Sequence, residues 1–110
     1  MSIKLPKLID TYIKAQNVYD ADTALACFSE NATVLDEGET LKGKKAIREW
    51  MEKTKKKYSP KFRPISIKEN PEEIIMTTEV SGTFDGSPVN LDYHFKIRNN
   101  LIEDLYVLQA

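Results

Sequence analysis

Only one cysteine, Cys27, and one histidine, His94, occur among the 110 residues of this chain. A single cysteine cannot form a disulfide within the chain, and chains without disulfides are typical of the cytoplasm, where we expect this protein. Zinc sites combine three or four cysteine, histidine or carboxylate ligands. The sequence therefore predicts no metal centre.

Long apolar runs are also missing. None approaches the roughly 20 residues that a membrane-spanning helix needs, and the first seven residues lack the apolar centre of a signal peptide, so we expect no membrane partner. Hydrophobic residues make up 41% of the chain and charged residues 30%, a balance typical of globular proteins. A chain of this length has room for one domain, residues 1–110, with one core.

The chain as a whole has no large excess of positive or negative charge, because its net charge is −1. Residues 42–63 nevertheless hold ten lysines and arginines against two glutamates. The simplest interpretation is a solvated helix face, whose cations complement the helix dipole near its C-terminus; an anionic ligand near this cluster is the alternative. Exposed aromatics interleaved with the basic residues are not evident, so we predict no nucleic-acid partner.

The first half of the chain has the period of helices. Apolar residues spaced one or three apart predict a first helix over residues 5–17. Asp20 is the predicted N-cap of a second helix, with Leu25 and Phe28 on its apolar side. Gly43 precedes a third helix, whose one apolar face opposes an almost wholly charged one.

The second half alternates with the period of strands. Four strands are predicted, over residues 62–69, 74–84, 89–97 and 101–108, and a short hairpin over residues 32–41 lies between the second and third helices. Helices on one face of an antiparallel sheet define an α+β fold. Gly82, inside a predicted strand, would let the sheet bend around the helices.

This order of elements resembles a known superfamily. Ala32-Thr33-Val34-Leu35-Asp36 followed by Gly43-Lys44-Lys45-Ala46-Ile47-Arg48-Glu49-Trp50 is similar to the nuclear transport factor 2-like proteins, within their SnoaL-like polyketide cyclase and ketosteroid isomerase branch. The resemblance covers nearly the whole chain. It implies a cone-shaped, curved antiparallel sheet wrapped around three N-terminal helices, which is the cystatin-like architecture. It further implies a small apolar ligand in the open end and a homodimer through the outer face of the sheet.

The resemblance also implies site residues. Tyr12 and Asp36 stand where the isomerases have a hydrogen-bond-donating tyrosine and a proton-moving aspartate, and Tyr93 replaces a second, protonated aspartate. A carboxylate in an apolar pocket has a raised pKa and suits a general base, while phenols stay protonated and can stabilise an oxyanion. The plainer alternatives are that Asp36 only forms a turn before Glu37-Gly38 and that both tyrosines belong to the core.

Four further side chains are expected to bind the ligand: Trp50, Met51, Phe28 and Phe95. Met51 stands where the isomerases have a supporting tyrosine. For Trp50 and Met51, plain core packing fits the helical spacing equally well.

Several functions fit this site. The leading prediction is proton transfer or isomerisation of a carbonyl-containing, apolar small molecule, with Asp36 as the base and Tyr12 and Tyr93 as oxyanion donors. That chemistry needs no cofactor. The alternatives are a non-catalytic ligand-binding protein and a dimerising interaction module of the same fold, so whether the chain is an enzyme stays open.

The expected dimer face alternates apolar and polar groups, namely Ile75, Thr77, Ser81, His94 and Tyr106.

Overall fold

Three helices and six strands make up most of residues 4–110, the part of the chain that the computed structural model describes. In chain order they are α1 (Lys7–Asn17), α2 (Ala21–Ala26), β1 (Phe28–Asp36), β2 (Glu39–Lys42), α3 (Gly43–Tyr58), β3 (Lys61–Glu69), β4 (Ile74–Ser81), β5 (Val89–Arg98) and β6 (Leu101–Gln109). Residues 1–3, part of the segment interpreted above as lacking a signal peptide, lie outside the described residues. Within residues 4–110, no helix combines the length and apolar character needed to cross a membrane.

The two N-terminal helices follow local signals in the sequence. α1 begins after Pro6, whose carbonyl accepts a hydrogen bond from the Asp10 amide over 2.9 Å; a proline directly before the helix loses no helical hydrogen bond. Asp20 caps α2 as predicted, because its carboxylate accepts from the Thr23 amide over 3.2 Å. α2 is shorter than expected, however, and Phe28 is the first residue of β1 rather than part of the helix.

All six strands form one sheet in the order β2-β1-β6-β5-β4-β3. The last four strands form the predicted antiparallel meander, and β1 and β2 the predicted hairpin. One pairing departs from the expected antiparallel sheet, because β1 and β6 run parallel. These two strands are separated in the chain by α3 and four other strands, so no tight turn forces them to run in opposite directions.

The strand predicted over residues 74–84 ends earlier than expected. β4 stops at Ser81, and residues 82–88 form an irregular connection. At Gly82 a Cβ atom would collide with the carbonyl oxygen of Tyr58, and the next amide, that of Thr83, donates to the same oxygen over 2.7 Å. Glycine thus allows the connection to pass against the end of α3, which places Phe84 and Asp85 beside the open end of the sheet.

The core lies between α1 and the concave face of the sheet. Its largest fully buried side chains are Tyr12, Phe28 and Phe95. The ring of Tyr12 meets those of Phe28 and Phe95 edge to face, with centroids 5.5 and 6.0 Å apart. Such pairs fill one end of the curved sheet with aromatic carbon. The other end, toward the C-terminus of α3, stays open.

Candidate functional site

The open end of the sheet contains a cavity of about 520 Å³. Ligand sites commonly have about 300–1,000 Å³ and apolar walls. Five aromatic side chains contribute to these walls: Trp50, Tyr58, Phe62, Phe84 and Tyr93. Six aliphatic or proline side chains complete them: Pro60, Val80, Val89, Leu91, Val107 and Leu108. The cavity is therefore large and apolar enough for a small organic molecule.

Asp36 reaches this cavity from the end of β1, where the strand gives way to the turn toward β2. Its Oδ2 accepts a hydrogen bond from Nε1 of Trp50 over 2.9 Å. Partial burial raises the pKa of the Asp36 carboxyl above its ordinary value, while the Trp50 hydrogen bond opposes that rise and the charge of Glu37 adds to it. Desolvation is the largest of these effects, as expected for a carboxylate facing apolar walls.

Tyr93 lines the same cavity from the middle of β5. Its side chain is 5% exposed and is held by Phe62 and Phe95, each with a ring centroid 6.2 Å away. Burial raises the pKa of Tyr93 well above its ordinary value, and the nearby Tyr12 and Asp36 add to the rise. The phenol therefore remains protonated at neutral pH and keeps a proton to donate.

Tyr12, in contrast, is fully buried and does not line the cavity. Its hydroxyl accepts a hydrogen bond from Nε2 of Gln16, one turn later on α1, over 3.1 Å, and Gln16 does line the cavity. Burial raises the pKa of Tyr12 above its ordinary value, and the Asp36 charge contributes in the same direction. Tyr12 thus lies behind the cavity wall, with Gln16 between it and the open space.

The four residues expected to bind a ligand are divided between cavity and core. Trp50 lines the cavity. Phe28 and Phe95 are fully buried and do not line it, because their rings pack on Tyr12 at the closed end of the sheet. Met51 also lies outside the lining; it follows Trp50 by one helical position and so faces a separate, smaller cleft beside Tyr19.

Several lining residues were not predicted. Tyr58 and Thr54 follow Trp50 at intervals of four on α3, so the helical period that identified Trp50 could have identified them too. Phe62 lies opposite Val80 in the β3–β4 ladder, a pairing that depends on the register between strands. Phe84 and Asp85 reach the cavity only because β4 ends early, which no local pattern indicates.

No group of three or more cysteine, histidine, aspartate or glutamate side chains within residues 4–110 is arranged to hold a metal ion. The polar groups at the cavity are instead carboxylates, amides and hydroxyls, supplied by Gln16, Asp36, Glu37, Thr54, Asp85 and Gln109 in addition to the two lining tyrosines. Such a set can accept and donate protons and hydrogen bonds.

An open-ended, curved sheet with a carboxylate and a tyrosine at its cavity is the arrangement that the sequence resemblance implied. The sequence model of the SnoaL-like domain matches residues 9–104, which is nearly the whole chain. The chain therefore belongs to the SnoaL-like family of the nuclear transport factor 2-like superfamily. The predicted α+β fold class is confirmed as well.

Solved structures agree with this assignment. A protein from Sinorhizobium meliloti, provisionally named a polyketide cyclase, is 33% identical over 94% of each chain, with a TM-score of 0.91. A protein of ketosteroid isomerase-like fold from Catenulispora acidiphila, solved with trimethylamine, is 15% identical over 97% of this chain and 88% of that one, with a TM-score of 0.86. A protein from Mycobacterium tuberculosis, solved with estradiol-17beta-hemisuccinate, is 14% identical over 94% and 92%, with a TM-score of 0.79.

The last two structures are similar to this chain in fold alone, since their sequence identity is low. No functionally curated protein matches the chain.

Proposed function

We propose that the cavity binds a small, carbonyl-containing apolar molecule and that Asp36 moves a proton on it. The observation that carries this proposal is that Asp36 and Tyr93 line one apolar cavity, with no lysine or arginine of residues 4–110 beside them. A partly desolvated carboxylate is a stronger base than one in water. The small organic ligands in two neighbours of the same fold support a small-molecule ligand here.

The proposed step is an enolisation followed by reprotonation. Asp36 removes a proton from the carbon next to the ligand carbonyl, and the electron pair of the broken C–H bond moves to the carbonyl oxygen through a new C=C bond. The Tyr93 hydroxyl donates a hydrogen bond to that oxygen, which stabilises its developing charge. The carboxylic acid of Asp36, which lines the open cavity, exchanges its proton with solvent and then gives a proton to the same or a conjugated carbon. The carbonyl is thereby restored and nothing is oxidised.

Trp50 and Tyr12 have supporting roles in this proposal. Because Trp50 engages Oδ2 of Asp36, Oδ1 is the oxygen assigned to the proton. Tyr12 was predicted to donate to the ligand directly; from its position behind Gln16, it acts on the ligand by fixing the Gln16 amide at the cavity wall. Positioned polar groups of this kind hold a reacting ligand in one orientation.

A second function, ligand carriage without turnover, is favoured by the same Trp50 contact. A hydrogen bond to the ionised carboxylate stabilises it and weakens it as a base, so Asp36 could serve only to hold a polar group of the ligand. Both functions use the same cavity and differ in whether a proton leaves the ligand.

A homodimer through the outer sheet face, and a cytoplasmic location, are also proposals. Ile75, His94 and Tyr106 lie side by side across β4, β5 and β6 on the face opposite Tyr93, and all three are half-buried within the chain. A face of mixed apolar and polar groups suits an isologous contact with a second copy. Sedimentation that gives only monomer at high protein concentration would contradict the dimer.

Proton exchange tests the enzymatic proposal directly. The protein is incubated in deuterium oxide with small ketones such as cyclohexanone and beta-tetralone, and deuterium at the carbon next to the carbonyl is followed by NMR. We expect exchange by the wild type and a loss of about 100-fold or more in Asp36→Asn. Glu30→Gln is the matched control, because Glu30 lies on the same strand, is exposed and does not line the cavity. Equal exchange by wild type and Asp36→Asn would exclude Asp36 as the base.

A further inference from the structure

The charges at the cavity are all of one sign. Three carboxylates line it, those of Asp36, Glu37 and Asp85, and no lysine, arginine or histidine of residues 4–110 does. The chain as a whole holds 16 basic and 17 acidic residues, so this imbalance belongs to the cavity rather than to the overall composition. Carboxylates around an apolar space attract cations and disfavour anions.

Two aromatic rings lie near the carboxylates at the mouth of the cavity, which is the rim formed by the exposed Glu37 and Asp85 together with Tyr58 and Phe84. Tyr58 and Phe84 meet edge to face with centroids 5.6 Å apart, and the Tyr58 hydroxyl donates to Oε1 of Glu37 over 3.1 Å. The face of an aromatic ring is negative and attracts a cation within about 6 Å of its centroid. Two rings and a carboxylate of the cavity lining therefore lie together on one side of the mouth.

The Tyr58 ring already has one ammonium group beside it. Nζ of Lys57 lies 5.0 Å from the centroid of that ring. Lys57 is exposed and does not line the cavity, so its charge approaches Tyr58 without filling the cavity. This contact shows that a primary ammonium group fits beside the Tyr58 ring.

A second feature of the cavity, independent of its charge, indicates a ligand. The Tyr93 side chain is 5% exposed, yet its hydroxyl has no hydrogen-bond partner within residues 4–110. Among the side-chain nitrogens and oxygens of those residues that are sealed from solvent, only Oγ1 of Thr78 lacks a partner. The Tyr93 hydroxyl is therefore not sealed, and it opens on the cavity that it lines, where a polar atom of a bound molecule can pair with it.

We propose that the cavity is selective for an organic cation: an apolar molecule with a protonated or quaternary amine, whose ammonium group lies beside Glu37, Asp85 and the ring of Tyr58. Its apolar body extends inward along the aromatic walls, and a polar atom at its far end pairs with the Tyr93 hydroxyl. This inference rests on the proposed function only in that the cavity holds a small organic molecule. It narrows the chemical class of that molecule, since an aminoketone meets both requirements.

The basic cluster at residues 42–63 does not oppose this selectivity at the cavity itself. Of its ten cationic side chains, none is part of the cavity lining. Lys57 contacts the ring of the lining residue Tyr58, and its charge interacts with that of Glu37, so it competes with an incoming cation for the same ring and the same carboxylate. Removal of its charge is therefore expected to strengthen the binding of a cation.

The test compares three probes of similar shape and different charge: meta-hydroxyphenyltrimethylammonium, its uncharged carbon isostere meta-tert-butylphenol, and the anion meta-hydroxybenzenesulfonate. Trp50, the only tryptophan in the sequence, lines the cavity, so its fluorescence reports occupancy, and titration calorimetry gives the affinity. We expect the cation to bind about tenfold more tightly than its isostere, which corresponds to about 1.4 kcal/mol, and the anion to bind most weakly.

Variants then assign the preference to the mouth. Glu37→Gln and, separately, Asp85→Asn should each weaken the cation about three- to tenfold and leave the isostere unchanged. Glu39→Gln removes the same charge two residues from Glu37 and outside the cavity lining, so it should change neither affinity. Lys57→Met should strengthen the cation alone. Circular dichroism confirms that each variant is folded, and the two mouth variants provide independent tests if one fails to fold.

Equal affinity for the cation and its isostere, no binding of the cation, or a preference that survives both mouth variants would each overturn the inference. The outcome is separable from that of the proton-exchange experiment. If Asp36-dependent exchange occurs on neutral ketones without cation preference, this inference alone fails. If the cation is preferred and no exchange occurs, the proposed proton transfer alone fails.

Discussion

Asp36→Asn should make the protein more stable at neutral pH while it removes the proposed base. When ionised, the Asp36 carboxylate of the wild type faces apolar walls, and burial is the main reason that the pKa of Asp36 is raised. The amide of asparagine carries no charge, yet its oxygen can still accept the hydrogen bond that Trp50 now donates over 2.9 Å. The substitution thus removes the desolvation cost without leaving the indole unpaired.

The magnitude is limited by the partial exposure of Asp36, because water screens its charge. Single stabilising substitutions commonly gain about 0.5–2 kcal/mol, and we expect the lower half of that range, about 0.5–1 kcal/mol. For a domain of this size, 1 kcal/mol corresponds to a rise in Tm of about 4–8 °C.

The effect should depend on pH with a definite sign. A carboxyl whose pKa is higher in the folded than in the unfolded chain binds its proton more tightly in the fold, so stability falls as pH rises from the ordinary pKa of 3.8 through the raised value. Below 3.8 the group is protonated in both states, and wild type and variant should converge. Above the raised value the advantage of the variant should be complete.

Urea unfolding of wild type, Asp36→Asn and the control Glu30→Gln, at an exposed residue of the same strand, at several pH values measures this difference. The opposite result, a variant less stable than wild type at pH 7, would mean that the ionised carboxylate stabilises the fold as a turn former. That outcome would refute the assignment of Asp36 to a water-poor site and would favour the plainer interpretation given above.

Three further substitutions have definite expected outcomes. Tyr93→Phe should keep the fold and reduce deuterium exchange on ketones about 10²–10³-fold; unchanged exchange would remove Tyr93 as the oxyanion donor. Phe95→Ala should lower the free energy of unfolding in urea by about 3–5 kcal/mol, whereas Val18→Ala, at a side chain 72% exposed, should change it by about 0.5 kcal/mol or less. Gly82→Ala should lower the Tm, because the added Cβ atom would collide with the Tyr58 carbonyl oxygen. An unchanged Tm would mean that the backbone at these two residues can move apart far enough to accommodate the methyl group.

Local chemistry made the helices and turns predictable from the sequence. The Asp20 cap needs only its own carboxylate and the amide three residues later. The turn at Asn99 and Asn100 needs two residues that tolerate positive φ, and these have φ of 53° and 60°. Signals of this kind lie within a few neighbouring residues, so one sequence contains them in full.

Features that depend on distant parts of the chain were not predictable in this way. The parallel pairing of β1 with β6 depends on how the whole sheet closes, and the early end of β4 depends on Tyr58 approaching Gly82. Phe28 was assigned to a helix because a single apolar residue cannot distinguish a helix end from a strand start.

The candidate site was predictable in part for the same reason. Asp36, Tyr93 and Trp50 line the cavity, and their strand or helix positions were visible in the sequence. Periodicity identifies which side of α1 carries Tyr12, but not whether its hydroxyl ends at the cavity or behind Gln16. The acidic mouth of the cavity includes Asp85, which lies in the irregular connection between β4 and β5. In such a connection no helix or strand period identifies the residues that face the cavity.

The pKa of the Asp36 carboxyl in the folded protein tests the central claim most directly. NMR titration of aspartate labelled with carbon-13 at the side-chain carboxyl follows each group, and the spectrum of Asp36→Asn identifies the Asp36 signal by its absence. A carboxylate facing an apolar cavity should titrate above its ordinary pKa of 3.8. A midpoint at or below 3.8 would mean that Asp36 is well solvated or held as a turn-forming anion, and it would contradict the proposed site.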